Sequence, residues 1–266
     1  MTGRGRGARV AITGAGTINA LGADVAATLA ALLEVLGKLG APCQDKRIMT
    51  KPPQHPIPPL PDFDRAPDAT ICERADAWIA SMPDPQNVWI FGTASLIWNP
   101  DFPYCDRRRA AVQGWHRALC LFSTRYRGTR EKPGLVMGLA PGGSCEGCAY
   151  RIDPDRLQEA ARAIWLREMG NSSYEIIQLT AQTDIGEIQC YSFAPVSGHP
   201  QCAHGLPLEM IEATVLSACG QRGTNLEYVL KTVEHLDQLG IHDPDLHALA
   251  ARLIHLQTQN EEEPEA

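Results

Sequence analysis

Seven prolines fall within residues 51–67: Pro52, Pro53, Pro56, Pro58, Pro59, Pro61 and Pro67. Proline lacks a backbone N–H and fixes φ, so such a run cannot continue a helix or sit inside a sheet. It favours extended polyproline II and reads as a linker or surface strap. The chain is therefore divided unequally. Residues 1–40 read as a separate N-terminal segment, and 41–86 as a Pro-rich linker closing with a short helix over Glu73 to Ser81. Residues 87–257 read as the folded domain, and 258–266 as a solvated acidic tail carrying Glu261 to Glu263 and Glu265.

Composition narrows what that domain can do. Hydrophobic residues at 44% and charged residues at 21% are ordinary for a globular chain rather than a disordered one. A net charge of -7 and a pI near 5.6 argue against a nucleic-acid or anionic-membrane binder, both of which need a basic surface. No apolar run is long enough to span a bilayer as a helix. The nine cysteines are an odd number with no convincing secretory signal before them, which suggests mostly reduced thiols and a cytoplasmic protein. Oligomeric state is not legible here.

Within the domain, Val88-Trp89-Ile90-Phe91, closed by Gly92, has the continuous apolar character of a fully buried strand. Ala110 to Ser123 and Leu135 to Leu139 read as further strands. Pro141-Gly142-Gly143 signals a turn into a hairpin partner over Cys148 to Ile152. Tyr174 to Leu179 and Ile188 to Phe193 complete the strand set. Three helices close the chain. Thr224-Asn225-Leu226-Glu227 spells a capping box, with Gly240 at the far end of its helix, and Asp243-Pro244 opens the last one. Strands followed by helices without strict alternation predict an α+β fold.

One helix carries an anomaly. Asp153-Pro154 caps it, and Leu157, Ala161, Ile164 and Trp165 form its apolar stripe. The same spacing, extended, lands on Glu168. A carboxylate on a buried face costs several kcal/mol unless it is paired or protonated. Two readings follow. Either Glu168 is bent to solvent or paired with Arg167 or Arg117, or its perturbed environment serves chemistry.

The N-terminal segment offers two further patterns. Arg4, Arg6 and Arg9 precede a mildly apolar stretch, but Thr13, Gly14, Gly16 and Asn19 interrupt it, unlike a targeting peptide. Val10-Ala11-Ile12 followed by Gly14-Ala15-Gly16 suggests a dinucleotide fingerprint, yet Asn19 stands where its third glycine belongs. In Arg9-Val10, Ile12-Thr13-Gly14, Gly16 and Leu21-Gly22 the segment resembles the opening strand and helix of β-ketoacyl synthases. It is read as a fused fragment without a function of its own.

A second resemblance covers residues 88–255 in collinear blocks. Its first blocks are Phe91-Gly92-Thr93-Ala94-Ser95-Leu96-Ile97-Trp98-Asn99-Pro100, Gly114-Trp115-His116-Arg117 and Arg127-Gly128-Thr129. The series continues through Pro133-Gly134, Gly142-Gly143-Ser144, Gly147, Ala149-Tyr150-Arg151 and Trp165-Leu166-Arg167-Glu168-Met169. It ends in Gly223-Thr224-Asn225 and Glu227-Tyr228. These blocks resemble the ChaC-type γ-glutamylcyclotransferase family. The resemblance implies a small, mainly antiparallel β-barrel flanked by helices, acting on glutathione without metal or cofactor and releasing 5-oxoproline and cysteinylglycine.

The resemblance also implies site residues. Glu168 becomes the general acid/base, a role its place on an apolar stripe suits, because burial raises a carboxylate's pKa toward neutrality. Thr93, Ala94, Ser95 and Leu96 stand at the family's Tyr-Gly-Ser-Leu substrate loop, and Tyr174 becomes a pocket residue or a core tyrosine. Thr93 replaces the aromatic ring and Ala94 the glycine. Where that glycine needs positive φ or close backbone approach, the extra methyl costs ~1 kcal/mol or more. The alternative is therefore a catalytically weak member that binds a γ-glutamyl ligand or a protein partner.

Other chemistries are weaker. Cys145-Glu146-Gly147-Cys148 is a CxxC, and Cys202-Ala203-His204 with His199 could complete a set of four zinc ligands. However, cysteines three apart in a strand point to opposite faces, and the second group lacks a knuckle spacing, so no metal is expected. No cysteine has an identifiable His and Asn or Asp partner set for nucleophilic catalysis, and His116 beside Trp115 reads as packed rather than catalytic.

Overall fold

Strand β1, Trp89–Gly92, is buried at every residue. The computed structural model describes residue 57, residues 59–61 and residues 63–262. The readings placed on residues 1–56 lie outside these described residues. Trp89 and Phe91 face one apolar cluster and Ile90 the other, which is why the run is continuously hydrophobic rather than alternating.

Two long strands, β2 (Tyr104–Ser123) and β3 (Gly134–Ile152), form an antiparallel pair over most of their length. β4 (Tyr174–Thr183) and β5 (Gly186–Pro195) form a second hairpin. The strand order β1-β3-β2-β4-β5 closes into a barrel through the parallel contact of Ile90 with Tyr191. Trp89, Phe91, Val112, Leu139, Ala149 and Ala181 lie in the cluster lining the barrel.

The expected turn at Pro141-Gly142-Gly143 is not a chain reversal. β3 runs straight through it, and the register passes from Gln113 opposite Ser144 to Trp115 opposite Pro141. Gly114, Gly142 and Gly143 all have positive φ (80°, 96° and 68°), so the glycines make a bulge between paired strands. The two strands expected at 135–139 and 148–152 are thus one. Cys145 and Cys148 point to opposite faces of it, into different clusters.

Among the described residues, four helices of three turns or so and one longer one flank the barrel. Helix α1, Asp68–Ala80, begins five residues before the expected Glu73. It buries Ile71 and Ala75 against Ala161 and Trp165 of helix α3 (Leu157–Glu168). A short helical turn, α2 (Ser95–Trp98), follows β1. The Asp153 side chain accepts from Asp155 N ahead of α3, whose Leu157, Ala160 and Ile164 pack on Ile90, Tyr150 and Phe193 of the barrel.

The C-terminal helices are α4 (Leu208–Ser217), α5 (Asn225–Gln238) and α6 (Pro244–Glu262). A two-stranded ribbon, β6 (Cys219–Gly220) with β7 (Gly223–Thr224), separates α4 from α5. Thr224 Oγ1 accepts from Glu227 N, as the capping box requires, and Ile241 N donates back to Leu236 O across Gly240, just past the end of α5. Asp243 caps α6 through Leu246 N, and that helix runs on to Glu262, into the stretch expected as a tail.

Candidate active site

The end of β1 is forced into a sharp bend. A Cβ on Gly92 would lie 2.8 Å from the Leu96 Cβ, so only glycine lets the chain fold back into α2. The next residues, Thr93 and Ala94, are buried, and Ala94 has φ −143°, outside the left-handed region. The positive-φ cost considered for a methyl at this position does not arise. Thr93 O accepts from Arg117 Nε at 2.5 Å. Arg117, with a side chain 2% exposed, also pairs with Asp243 and donates to Glu146 O, so it ties the loop to β3 and to the start of α6. It does not pair with Glu168.

Glu168 ends α3 at a cavity of about 790 Å³. Thr93, Ala94, Ser95, Leu96 and Tyr174 line the same cavity, so all the residues expected at a site from sequence are brought together. The Glu168 side chain is 15% exposed, and its Oε1 lies 3.0 Å from Arg167 Nε. Arg167 Nη2 donates to Ser95 Oγ at 2.7 Å, and its Nη1 donates to Asn99 O. One guanidinium therefore spans from the carboxylate to the loop. Burial raises the Glu168 pKa above the ordinary carboxylate range, opposed by the charges of Arg167 and Arg222. Burial likewise raises the Tyr174 phenol well above its usual value, and the Glu168 charge adds to the effect.

Sequence reasoning missed several lining residues. Tyr228 is buried, its phenolic oxygen accepts from Met137 N at 3.0 Å, and desolvation pushes it up to about 12. Its only sequence signal was its place in the last family-like block. Phe63, Asp64 and Arg65, at the end of the Pro-rich stretch, line the cavity. Ala66 N donates to Gly170 O at 2.9 Å, Arg65 Nη2 to Leu166 O at 3.2 Å, and the Phe63 ring lies 5.3 Å from His199. No local signal in a proline run announces which surface it will cover.

The lining is strongly cationic for a chain of net charge -7. Arg65, Arg125, Arg127, Arg130, Arg167 and Arg222 face it, against the carboxylates Asp64 and Glu168. Arg65 pairs with Asp68, Arg127 with Glu227, and Arg125 donates to Gln221 Oε1. Arg222 is exposed, with its guanidinium 4.3 Å from the centre of the Tyr126 ring. A half-buried acid/base beside a fixed cation, at the mouth of an electropositive pocket, suits proton transfer on a small anionic substrate.

The cysteines and histidines weighed for zinc do not converge. Cys145 and Cys148 are buried in separate clusters, while Cys202 Sγ lies 2.8 Å from His204 Nδ1 at the surface. Among the described residues no group of three His, Cys, Asp or Glu is placed to hold a metal ion. His116 holds Gly142 O at 3.0 Å, beside the β3 bulge. No helix among the described residues is long and apolar enough to cross a membrane.

The profile of the ChaC-like protein family matches residues 88–256, more than half of the chain. The chain belongs to the ChaC-like family. Its similarity to the glutathione-specific γ-glutamylcyclotransferase of Escherichia coli (strain K12) is 32% identity over 185 residues, covering 69% of this chain and 80% of that one. It is 30% identical over 172 residues to the glutathione-specific γ-glutamylcyclotransferase 1 of Homo sapiens, covering 63% and 78%. A crystal structure of a yeast γ-glutamylcyclotransferase specific to glutathione superposes with a TM-score of 0.60 at 19% identity, covering 64% of this chain and 96% of that one. That likeness bears on the fold: the closed barrel with flanking helices is a ChaC-like architecture, as the sequence blocks led one to expect.

Proposed function

We propose that this ChaC-like chain is a glutathione-specific γ-glutamylcyclotransferase with Glu168 as its general acid/base. The observation that carries the reading is the Glu168 carboxylate at the cavity, its pKa raised by burial and its position held by Arg167. The names of the related enzymes supply the substrate.

The chemistry follows from the substrate. In a γ-glutamyl amide the α-amino nitrogen and the γ-carbonyl carbon belong to one residue, so the pocket has only to fold the chain and move a proton. Glu168 takes a proton from the α-ammonium. The freed amine attacks the γ-carbonyl carbon, a C–N bond closes the five-membered ring, and the bond to the cysteine nitrogen breaks. Glu168 returns its proton to that leaving amine, and the remaining extra proton of the ring nitrogen passes to the same amine, leaving a neutral lactam and an ammonium. The products, 5-oxoproline and cysteinylglycine, together contain every atom of glutathione, so neither water nor an oxidant is consumed.

In this scheme Thr93, Ala94, Ser95 and Leu96 receive the γ-glutamyl carboxylate, and Tyr174 forms a wall beside Glu168. Arg167 is a positioning residue: it holds the base and, through the Ser95 hydroxyl, the loop. Seven of the eight cysteines among the described residues are free thiols and Cys219 is disulfide-bonded; the predominance of free thiols supports a reducing compartment such as the cytoplasm. The test is the release of 5-oxoproline from glutathione by purified protein, compared with Glu168→Gln. Absence of 5-oxoproline from the wild-type reaction overturns the reading.

A further inference from the structure

The cavity's arginines differ in what already occupies them. Arg65, Arg125, Arg127 and Arg167 bond carboxylate, amide or carbonyl oxygens of the protein, and Arg130 also has a partner. Among the described residues, no oxygen acceptor bonds the guanidinium of Arg222. It is nonetheless held in place. Its backbone N donates to Tyr126 O at 2.9 Å, Gln221 N donates to Arg125 O at 2.9 Å, and its side chain rests over the Tyr126 ring. Cation–π attraction restrains a guanidinium without using up its hydrogen-bonding fork. Arg222 also lines the cavity, and its charge is felt at Glu168, so it belongs to the same space as the base.

An uncompensated, restrained guanidinium at a pocket mouth suits a carboxylate, which it can grip through two parallel hydrogen bonds. The proposed substrate has two carboxylates, one at each end. The γ-glutamyl carboxylate belongs at the Ser95 loop, so the glycine carboxylate is the one left for the mouth. A three-residue chain reaches about 10 Å when extended, and the cavity of about 790 Å³ admits it. We infer that Arg222, braced on Tyr126, binds the C-terminal carboxylate of a γ-glutamyl tripeptide and so selects glutathione over γ-glutamyl compounds lacking that charge. This rests on the functional reading above.

The test compares kcat/KM for glutathione and for its C-terminal glycine amide, in the wild type, Arg222→Gln and Arg222→Lys. The amide keeps every reacting atom and loses only the distal charge. Any effect of Arg222 on Glu168 acts on both substrates alike and cancels in the ratio. Wild type is expected to favour the acid by about ten- to a hundredfold, the worth of a charge-assisted hydrogen bond. Arg222→Gln should bring that preference to within about twofold of unity, with the loss falling on KM, and Arg222→Lys should restore part of it. Wild-type protein that converts acid and amide equally well overturns the inference while leaving the functional reading intact. So does a folded Arg222→Gln that keeps the wild-type preference. Wild-type protein that converts neither compound overturns the functional reading and this inference with it.

Discussion

Arg167 Nε lies 3.0 Å from Oε1 of Glu168, its immediate neighbour in sequence. Adjacent helical residues ordinarily point to different faces, so such a pair needs a special place. Here Glu168 is the last residue of α3, and the same guanidinium reaches across to Ser95 and Asn99 beyond β1. The cation lowers the cost of burying Glu168 without abolishing it. The carboxylate thus keeps a raised pKa and a fixed direction.

Glu168→Gln removes the proton acceptor with little change in shape. Release of 5-oxoproline from glutathione should fall at least about a hundredfold, the usual worth of a general acid/base. Stability should move the other way. Burial raises the folded-state pKa of this carboxylate, so the folded chain holds its proton more tightly than the unfolded chain does. The wild type therefore loses stability as pH rises from the ordinary carboxylate range through the raised folded pKa. Melting curves at neutral pH should place Glu168→Gln at or above the wild type.

Arg167→Met removes the charge that lowers the Glu168 pKa. The acidic limb of the kcat/KM profile should then move to higher pH, because Glu168 must be ionised to act as base. Arg167→Lys keeps a cation but not the fork that holds Ser95 and Asn99. Its limb should stay nearer the wild type while kcat falls. A full pH–rate profile of each variant separates the two effects.

Ala94→Gly restores the residue that the family-like loop would carry. The Ala94 φ of −143° lies outside the left-handed region that favours glycine, and glycine adds freedom to the unfolded chain. The expected result is kcat/KM within about twofold of wild type and a stability loss of about 0.5–1 kcal/mol. Thr93→Tyr places a ring where the present side chain is already buried, and overpacking of this kind costs about 1–3 kcal/mol. Paired melting and kinetic measurements decide both.

Ile71 is fully buried between α1 and α3, although it precedes the family-matched region. Ile71→Ala should destabilise the fold by about 2–4 kcal/mol. At this chain length that lowers Tm by roughly 5–15 °C. Melting within a degree of wild type would place α1 outside the cooperative unit.

The sequence alone determined what depends on neighbours along the chain. The continuous apolar run of β1, the capping box at Thr224, the Asp243-Pro244 start of α6 and the stripe leading to Glu168 are all local patterns of period and capping. Each has the same physical consequence wherever the segment ends up, and the family-like blocks brought Thr93 through Leu96 and Tyr174 into view beside Glu168. Only the tertiary structure decided the rest. Pro141-Gly142-Gly143 has the local conformational freedom of a turn, but long-range pairing of β3 with β2 turns it into a bulge. The helix at 68–80 shows its apolar face locally, yet Trp165 settles that it is packed rather than solvated. Glu168 had two arginines within reach of speculation. The assembled barrel sends Arg117 to Asp243 and leaves Arg167 beside the carboxylate. The same assembly brings Phe63 to Arg65 and Arg222 to one cavity, because a charged or extended segment acquires its partner only when distant surfaces meet.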